Sequence, residues 1–275
     1  MVRVLSGALM DILYSISGFA VGVLVGITGV GGGSLMTPLL VFLFGFQPAV
    51  AVGTDLLYAA LTKTGGVFVH HGKHQSVDWR VVLLLSAGSL PLAVATLCAI
   101  NYFMSVGRET TGAISFTLGV ALLLTATALL LRAALLRGRN DALAHETPMQ
   151  QVARFSRWEV PATLLTGAVL GVLVTLSSVG AGALGTVALL FLYPRSSTLK
   201  IVGTDLAHAI PLTAVAGFGH WMLGNVNFVL LGSLLLGSLP GIWLGSHVSA
   251  RIPEHWLRPF LALILILIGL KFVLS

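Results

Sequence analysis

Two acidic residues, Asp55 and Asp205, stand well inside apolar stretches, each closing a triplet: Gly53-Thr54-Asp55 and Gly203-Thr204-Asp205. A carboxylate at membrane depth is costly, so it marks a functional site by default. Two roles suit it. Either the carboxylate binds and releases a coupling proton, or it acts with Thr54 or Thr204 to orient a helix by accepting backbone N–H bonds, as an N-cap does. His208 follows Asp205 by three residues and would share its helix face, which makes the pair a candidate relay. Lys63 is the one basic residue deep in an apolar run. It either meets an anion inside a pathway or extends its ammonium to the membrane surface along its flexible stem.

Each triplet follows a glycine-rich break. The first is Gly26-Ile27-Thr28-Gly29-Val30-Gly31-Gly32-Gly33-Ser34, and the second is Thr175-Leu176-Ser177-Ser178-Val179-Gly180-Ala181-Gly182-Ala183. A helix beginning at Ser34 or Ala183 would turn unpaired N–H groups and the positive end of its dipole into the break, a seat for an anion. Glycine lets the backbone approach a ligand and adopt positive φ. Thr28, Ser177 and Ser178 add hydroxyl donors beside it. The same glycines also suit plain close packing of helices. No Gly-Lys-Ser/Thr follows either break, which excludes a Walker phosphate loop.

The elements around these residues are duplicated. At an offset of 149, Gly22-Val-Leu-Val25 matches Gly171-Val-Leu-Val174, Gly33, Leu35 and Thr37 match Gly182, Leu184 and Thr186, and Gly88-Ser-Leu-Pro91 matches Gly237-Ser-Leu-Pro240. The Gly-Thr-Asp triplets match after a one-residue slip. So many coincidences at special residues indicate an internal repeat.

Composition sets the solvent. Hydrophobic residues make up 56% and charged residues only 9%, against about 25% charged in a soluble domain, and mean hydropathy is +0.99. This is a polytopic, all-α membrane protein. Its net charge of +6 does not indicate nucleic acid, because the basic residues sit in loops and one linker rather than among aromatics. Cys98 is alone, so there is no disulfide framework and no thiolate metal spacing. His70, His71 and His74 form a weak metal pattern without Cys or paired carboxylates. No metal or cofactor is expected.

Apolar runs fall near 12–28, 50–70, 81–103, 110–131, 160–176, 201–223, 228–248 and 257–274. Two more, 35–46 and 183–192, directly follow the breaks and are short enough to be broken or re-entrant helices. The segment 12–28 is read as a retained span rather than a cleaved signal. Counting five segments per half puts the loops 71–80, 132–158, 193–200 and 249–258 on one side, with 11 of the 15 basic residues. The positive-inside rule then places the linker in the cytoplasm, and an odd count inverts the second half relative to the first. The expected organisation is a first transmembrane repeat over 1–132, a cytoplasmic linker over 133–158 and a second repeat over 159–275. Paired Pro91 and Pro240, with Pro211, would bend their helices.

Together, Gly29-Val-Gly31-Gly32-Gly33-Ser-Leu-Met-Thr-Pro38, the following Gly53-Thr54-Asp55 and their degenerate second copy resemble the sulfite exporter TauE/SafE family of membrane permeases over nearly the whole chain apart from the linker. The resemblance implies a multi-pass transporter in the cytoplasmic membrane that moves sulfite, sulfonates or related small anions without ATP or a dedicated cofactor. The second copy departs from the pattern, with Ala181 at the middle glycine and Val187 opposite Pro38, which implies an asymmetric site.

The expected function is a secondary transporter of small oxyanions. Thr28, Gly31, Gly32, Gly33 and Ser34 from one break, and Ser177, Ser178, Gly180, Gly182 and Ala183 from the other, hold the anion. Thr54, Asp55, Thr204, Asp205 and His208 orient helices or couple a proton, and Lys63 is a candidate on the pathway. The alternative is a proton-coupled carboxylate or metal permease in which Asp205, His208 and His220 bind the substrate. An enzyme is not expected, since no His-Glu-x-x-His, Gly-x-Ser-x-Gly or Gly-x-Gly-Asp occurs. Partners are the small anion and membrane lipid, with no nucleic acid, and the sequence leaves the oligomeric state open.

Overall fold

In the computed structural model the described residues, 2–28, 33–74, 77–108, 110–142, 158–248 and 254–274, form helices and short connections with no strand. The helices are α1 (Val2–Thr28), α2 (Gly33–Phe42), α3 (Pro48–His74), α4 (Trp79–Ser105), α5 (Thr111–Ala142), α6 (Glu159–Ser177), α7 (Ala183–Leu192), α8 (Thr198–Met222), α9 (Phe228–Val248) and α10 (Glu254–Leu274). Caps fix several starts. Asp78 accepts from the Val81 N–H before α4, Ser197 from Lys200 before α8, and Asn227 from Leu230 at 3.0 Å before α9.

Among the described residues, five helices are long and apolar enough to cross a membrane, by length and composition: Trp79–Ser105, Thr111–Arg132, Glu159–Ser177, Thr198–Met222 and Phe228–Gly245. The two short segments form as expected. α2 and α7 have 10 residues each, about 15 Å at 1.5 Å per residue, half of a hydrocarbon core of about 30 Å. One difference from the hydropathy reading is that α5 runs on to Ala142, because Ala133-Ala134-Leu135-Leu136 is rich in helix formers and contains no Pro. Residues 143–157 lie outside the described residues.

Packing follows the duplication. α1 lies along α9, where Gly18 and Gly22 meet the backbone of Leu234 and Ser238, and Gly237 and Gly241 meet that of Ser15 and Phe19. α4 lies along α6 through the positions 149 residues away: Gly167 and Gly171 on Leu85 and Ser89, and Gly88 on Leu164. Residue numbers rise together across both contacts, so these pairs are parallel. Numbers run oppositely in two others: Gly53 meets Asn225 while Gly217 meets Leu57, joining α3 to α8, and Gly119 meets Val273 while Gly269 meets Leu123, joining α5 to α10. Small residues let membrane helices approach closely enough for van der Waals contact to hold them where no hydrophobic effect acts. The Leu and Phe side chains left outside, such as Leu83, Leu165, Leu236 and Leu263, then face lipid.

Candidate functional site

The second break is fully described. α6 ends in Ser178, whose φ of 59° is left-handed. Gly180 and Gly182 follow at φ 111° and 138°, values that only glycine adopts without strain. Gly182 is the residue before α7, and Ala183 opens that helix. The Gly180 carbonyl turns back to accept from the N–H groups of Leu184 at 3.2 Å and Gly185 at 3.4 Å. Ser178 is 3% exposed, and its Oγ has no hydrogen-bond partner.

Against this break stand two matched pairs. Thr37 of α2 donates to Asp55 Oδ2 at 2.5 Å, and Thr186 of α7 donates to Asp205 Oδ2 at 2.8 Å. Both carboxylates are buried, at 0% and 2% exposure, and Oδ1 of each lacks a partner. Asp55 faces Ser178 of the other half. Gly185 is required beside Asp205, since a Cβ there would overlap Oδ1. Each aspartate is the eighth residue of its helix, α3 or α8. The N-cap role expected of Gly-Thr-Asp is therefore wrong, because each helix has already begun two turns earlier at Pro48 or Thr198. Each aspartate instead ties a long helix to a short one.

Lys63 is buried, and its ammonium donates to the Ala181 carbonyl in the break at 2.7 Å. It lies close enough to interact electrostatically with both Asp55 and Asp205. The extension to the membrane surface weighed from sequence is thus not its conformation. His208 turns its Nε2 to Ser89 Oγ on α4, at 2.8 Å, rather than to the Asp205 carboxylate. His220 Nε2 donates to the Thr175 carbonyl at 2.9 Å, which closes the end of α6. Among the described residues no group of three or more His, Cys, Asp or Glu could hold a metal ion.

The Ser177 hydroxyl is taken up within its own segment, donating to the Leu173 carbonyl at 2.6 Å and accepting from the Val179 N–H at 3.1 Å. Thr54 and Thr204 accept from the N–H groups of Asn227 at 3.0 Å and Asp78 at 2.9 Å, again 149 residues apart, and so anchor the starts of α9 and α4. In the first break Gly31 and Gly32 lie outside the described residues; Thr28 ends α1, and Gly33 and Ser34 open α2. Sequence reasoning missed Thr37, Thr186 and Ser89. The signal was present for the first two, since both are threonines at matching places in the repeat.

Residues 14–272 match the profile of the Sulfite exporter TauE/SafE family. The chain belongs to the TauE/SafE family. Among curated relatives of this TauE/SafE protein, the "Probable membrane transporter protein YjnA" of Bacillus subtilis is 36% identical over 226 residues, covering 82% of this chain and 85% of that one. "Probable membrane transporter protein YdhB" of the same organism is 25% identical over 221 residues, 79% and 81% of the two chains. "Probable membrane transporter protein YunE", also from Bacillus subtilis, is 42% identical over 71 residues, 26% of each chain. No solved structure matches. Family and relatives indicate a multi-pass membrane transporter.

At one end of the TauE/SafE helices Asp78 pairs with Lys200 at 2.8 Å, with 31% and 43% of the side chains exposed. The Lys200 hydrogen bond holds the Asp78 carboxyl below the usual carboxylate range. A lowered native pKa gives stability that is present above the unfolded value of about 3.9 and lost as pH falls through the native one. Because the pair is solvated, Lys200→Ala should lower stability by less than about 1 kcal/mol at neutral pH. The gap from the parent should persist down to a pH of about 4 and close below it, which thermal unfolding in detergent between neutral pH and a pH below the native Asp78 value would record.

Proposed function

We propose that the chain is a secondary permease for small sulfur-containing anions such as sulfite or organosulfonates. The observation that carries this reading is the meeting of both halves at one buried point, where Lys63 and Asp55 of α3 face Ala181 and Ser178 of the second break. We infer two inverted repeats, 1–132 and 159–275, joined by a cytoplasmic linker over 133–158 in the cytoplasmic membrane. The antiparallel contacts of α3 with α8 and of α5 with α10 support the inversion. Each pairs corresponding helices of the two halves, which would run parallel if the halves had the same orientation. Broken helices at corresponding places in two such repeats are the usual seat of a transported ion.

In this reading the anion sits against backbone N–H groups of Gly180, Gly182 and Ala183 and of Gly31, Gly32, Gly33 and Ser34. Ser178 and Thr28 add hydroxyls, and Lys63 supplies the counter-charge. Thr37 and Thr186 hold Asp55 and Asp205, so that the short helices keep their place relative to α3 and α8. No cofactor takes part.

The test is influx of labelled sulfite into proteoliposomes holding the purified protein. Leucine at position 182 cannot take φ 138° without strain of about 1–3 kcal/mol, and relief of that strain moves the start of α7. Gly182→Leu should therefore reduce influx about tenfold or more while the protein remains inserted. Unchanged influx in that variant would remove the break from the site, and no influx of sulfite or sulfonates into parent vesicles would remove the substrate class.

A further inference from the structure

Threonine on a helix commonly returns its hydroxyl to the carbonyl four residues back. Thr163, Thr175 and Thr213 do so, to Glu159, Gly171 and Ala209, as does the exposed Thr127 of α5, to Leu123 at 2.9 Å. Thr125, two residues earlier on α5, does not. It is 0% exposed, and its Oγ1 has no hydrogen-bond partner. Every other buried threonine among the described residues has one. A buried hydroxyl without a partner is costly, and valine has the same shape without that cost. Packing alone therefore does not account for a threonine at this place.

Its neighbours show what it adjoins. Leu118, Leu122, Thr125 and Leu129 are all buried and recur at the spacing of one helix face. Leu118, Leu122 and Leu129 share one apolar cluster with Val179 of the second break and Ala183, which opens α7. α5 also packs against α3 and α6. Seven residues beyond Thr125, about two turns along the same side, Arg132 interacts electrostatically with Asp205. Thr125 thus stands at the level of the break, on the side that α5 closes. Ser178 Oγ, at the end of α6, is the other buried hydroxyl at this break without a partner.

We propose that Thr125 is a substrate contact, its hydroxyl donating to one oxygen of the bound anion. A sulfite or sulfonate group is a pyramid of three oxygens. Donors reach it from three sides: the N–H groups at the start of α7, Lys63 of α3 with Ser178 of α6, and Thr125 of α5. This rests on the permease reading above and adds a residue that sets affinity for the oxyanion.

The experiment measures initial influx of labelled sulfite over a range of concentrations into proteoliposomes holding the parent chain, Thr125→Val, Thr125→Ser or Thr127→Val. Loss of a hydrogen bond to a charged partner should raise KM in Thr125→Val about tenfold or more, with the maximal rate within about twofold of the parent. Thr125→Ser keeps the donor and should stay close to the parental KM. Thr127→Val should match the parent, since that hydroxyl is taken up by its own helix. In detergent without sulfite, Thr125→Val should unfold at or above the parental temperature, because a costly buried hydroxyl is gone. An unchanged KM in Thr125→Val would overturn the proposal. So would a lower unfolding temperature, which would show that the hydroxyl holds the fold, or an equal rise in KM in Thr125→Ser, which would assign the effect to shape. Absence of sulfite influx in the parent protein would instead overturn the permease reading itself.

Discussion

Lys63→Met should reduce transport about a hundredfold or more, since removing one partner from a buried charge set costs about 3–5 kcal/mol. Methionine fills nearly the same volume, so packing is not the cause. What is lost is the ammonium that holds the Ala181 carbonyl at 2.7 Å and balances Asp55 and Asp205. The carboxylates can take protons in compensation, so the variant should remain folded and monodisperse in detergent. Lys63→Arg keeps the charge but presents a planar fork where a compact ammonium fits, and should fall between the two. Initial sulfite influx at matched protein content is the measurement, and a parental rate in Lys63→Met would show that the ammonium has no part in the site.

The second large effect concerns stability. A methyl group at Gly237 would overlap the Ser15 carbonyl, and one at Gly88 would overlap the Leu164 carbonyl. Both obstacles are backbone, so a whole helix has to move. Gly237→Ala and Gly88→Ala should each destabilise by about 1–3 kcal/mol, the usual cost of overpacking. The two should agree, because the contacts lie 149 residues apart at both partners. Gly112→Ala and Gly232→Ala are the controls: nothing lies within 4 Å of an added Cβ at either. These substitutions should be neutral or stabilising by up to about 1 kcal/mol through helix propensity. Thermal unfolding of the four variants in one detergent separates the cases, and equal behaviour of all four would remove close α1–α9 and α4–α6 packing as a source of stability.

Both effects start from glycines and charges visible in the chain, but they differ in how far they could be read there. The repeat located Gly88 and Gly237 as corresponding residues, and their role as contact points appears only once α1 and α9, and α4 and α6, are side by side. Lys63 was recognisable as an unusual buried cation, while its partner, 118 residues away in sequence, was not. The Gly-Thr-Asp triplets stood out as repeated polar residues inside apolar runs and were misread locally, because an N-cap and a mid-helix tether use the same residue types. Ser177 and Ser178 look alike as hydroxyl donors. The left-handed turn at Ser178 separates them, turning Ser177 onto its own helix and leaving Ser178 beside Asp55.

The sequence by itself determined the solvent, the helical class, the two short segments and the repeated special residues. Each of these follows from local hydropathy, segment length and the conformational freedom of glycine, which need no knowledge of neighbours. Only the tertiary structure decided which polar atoms meet: Thr37 with Asp55, Thr186 with Asp205, Lys63 with Ala181, and His208 with Ser89 rather than Asp205. In a low-dielectric interior every buried polar group must find a partner or remain costly, and that choice is made between helices far apart in the chain, where no local pattern records it.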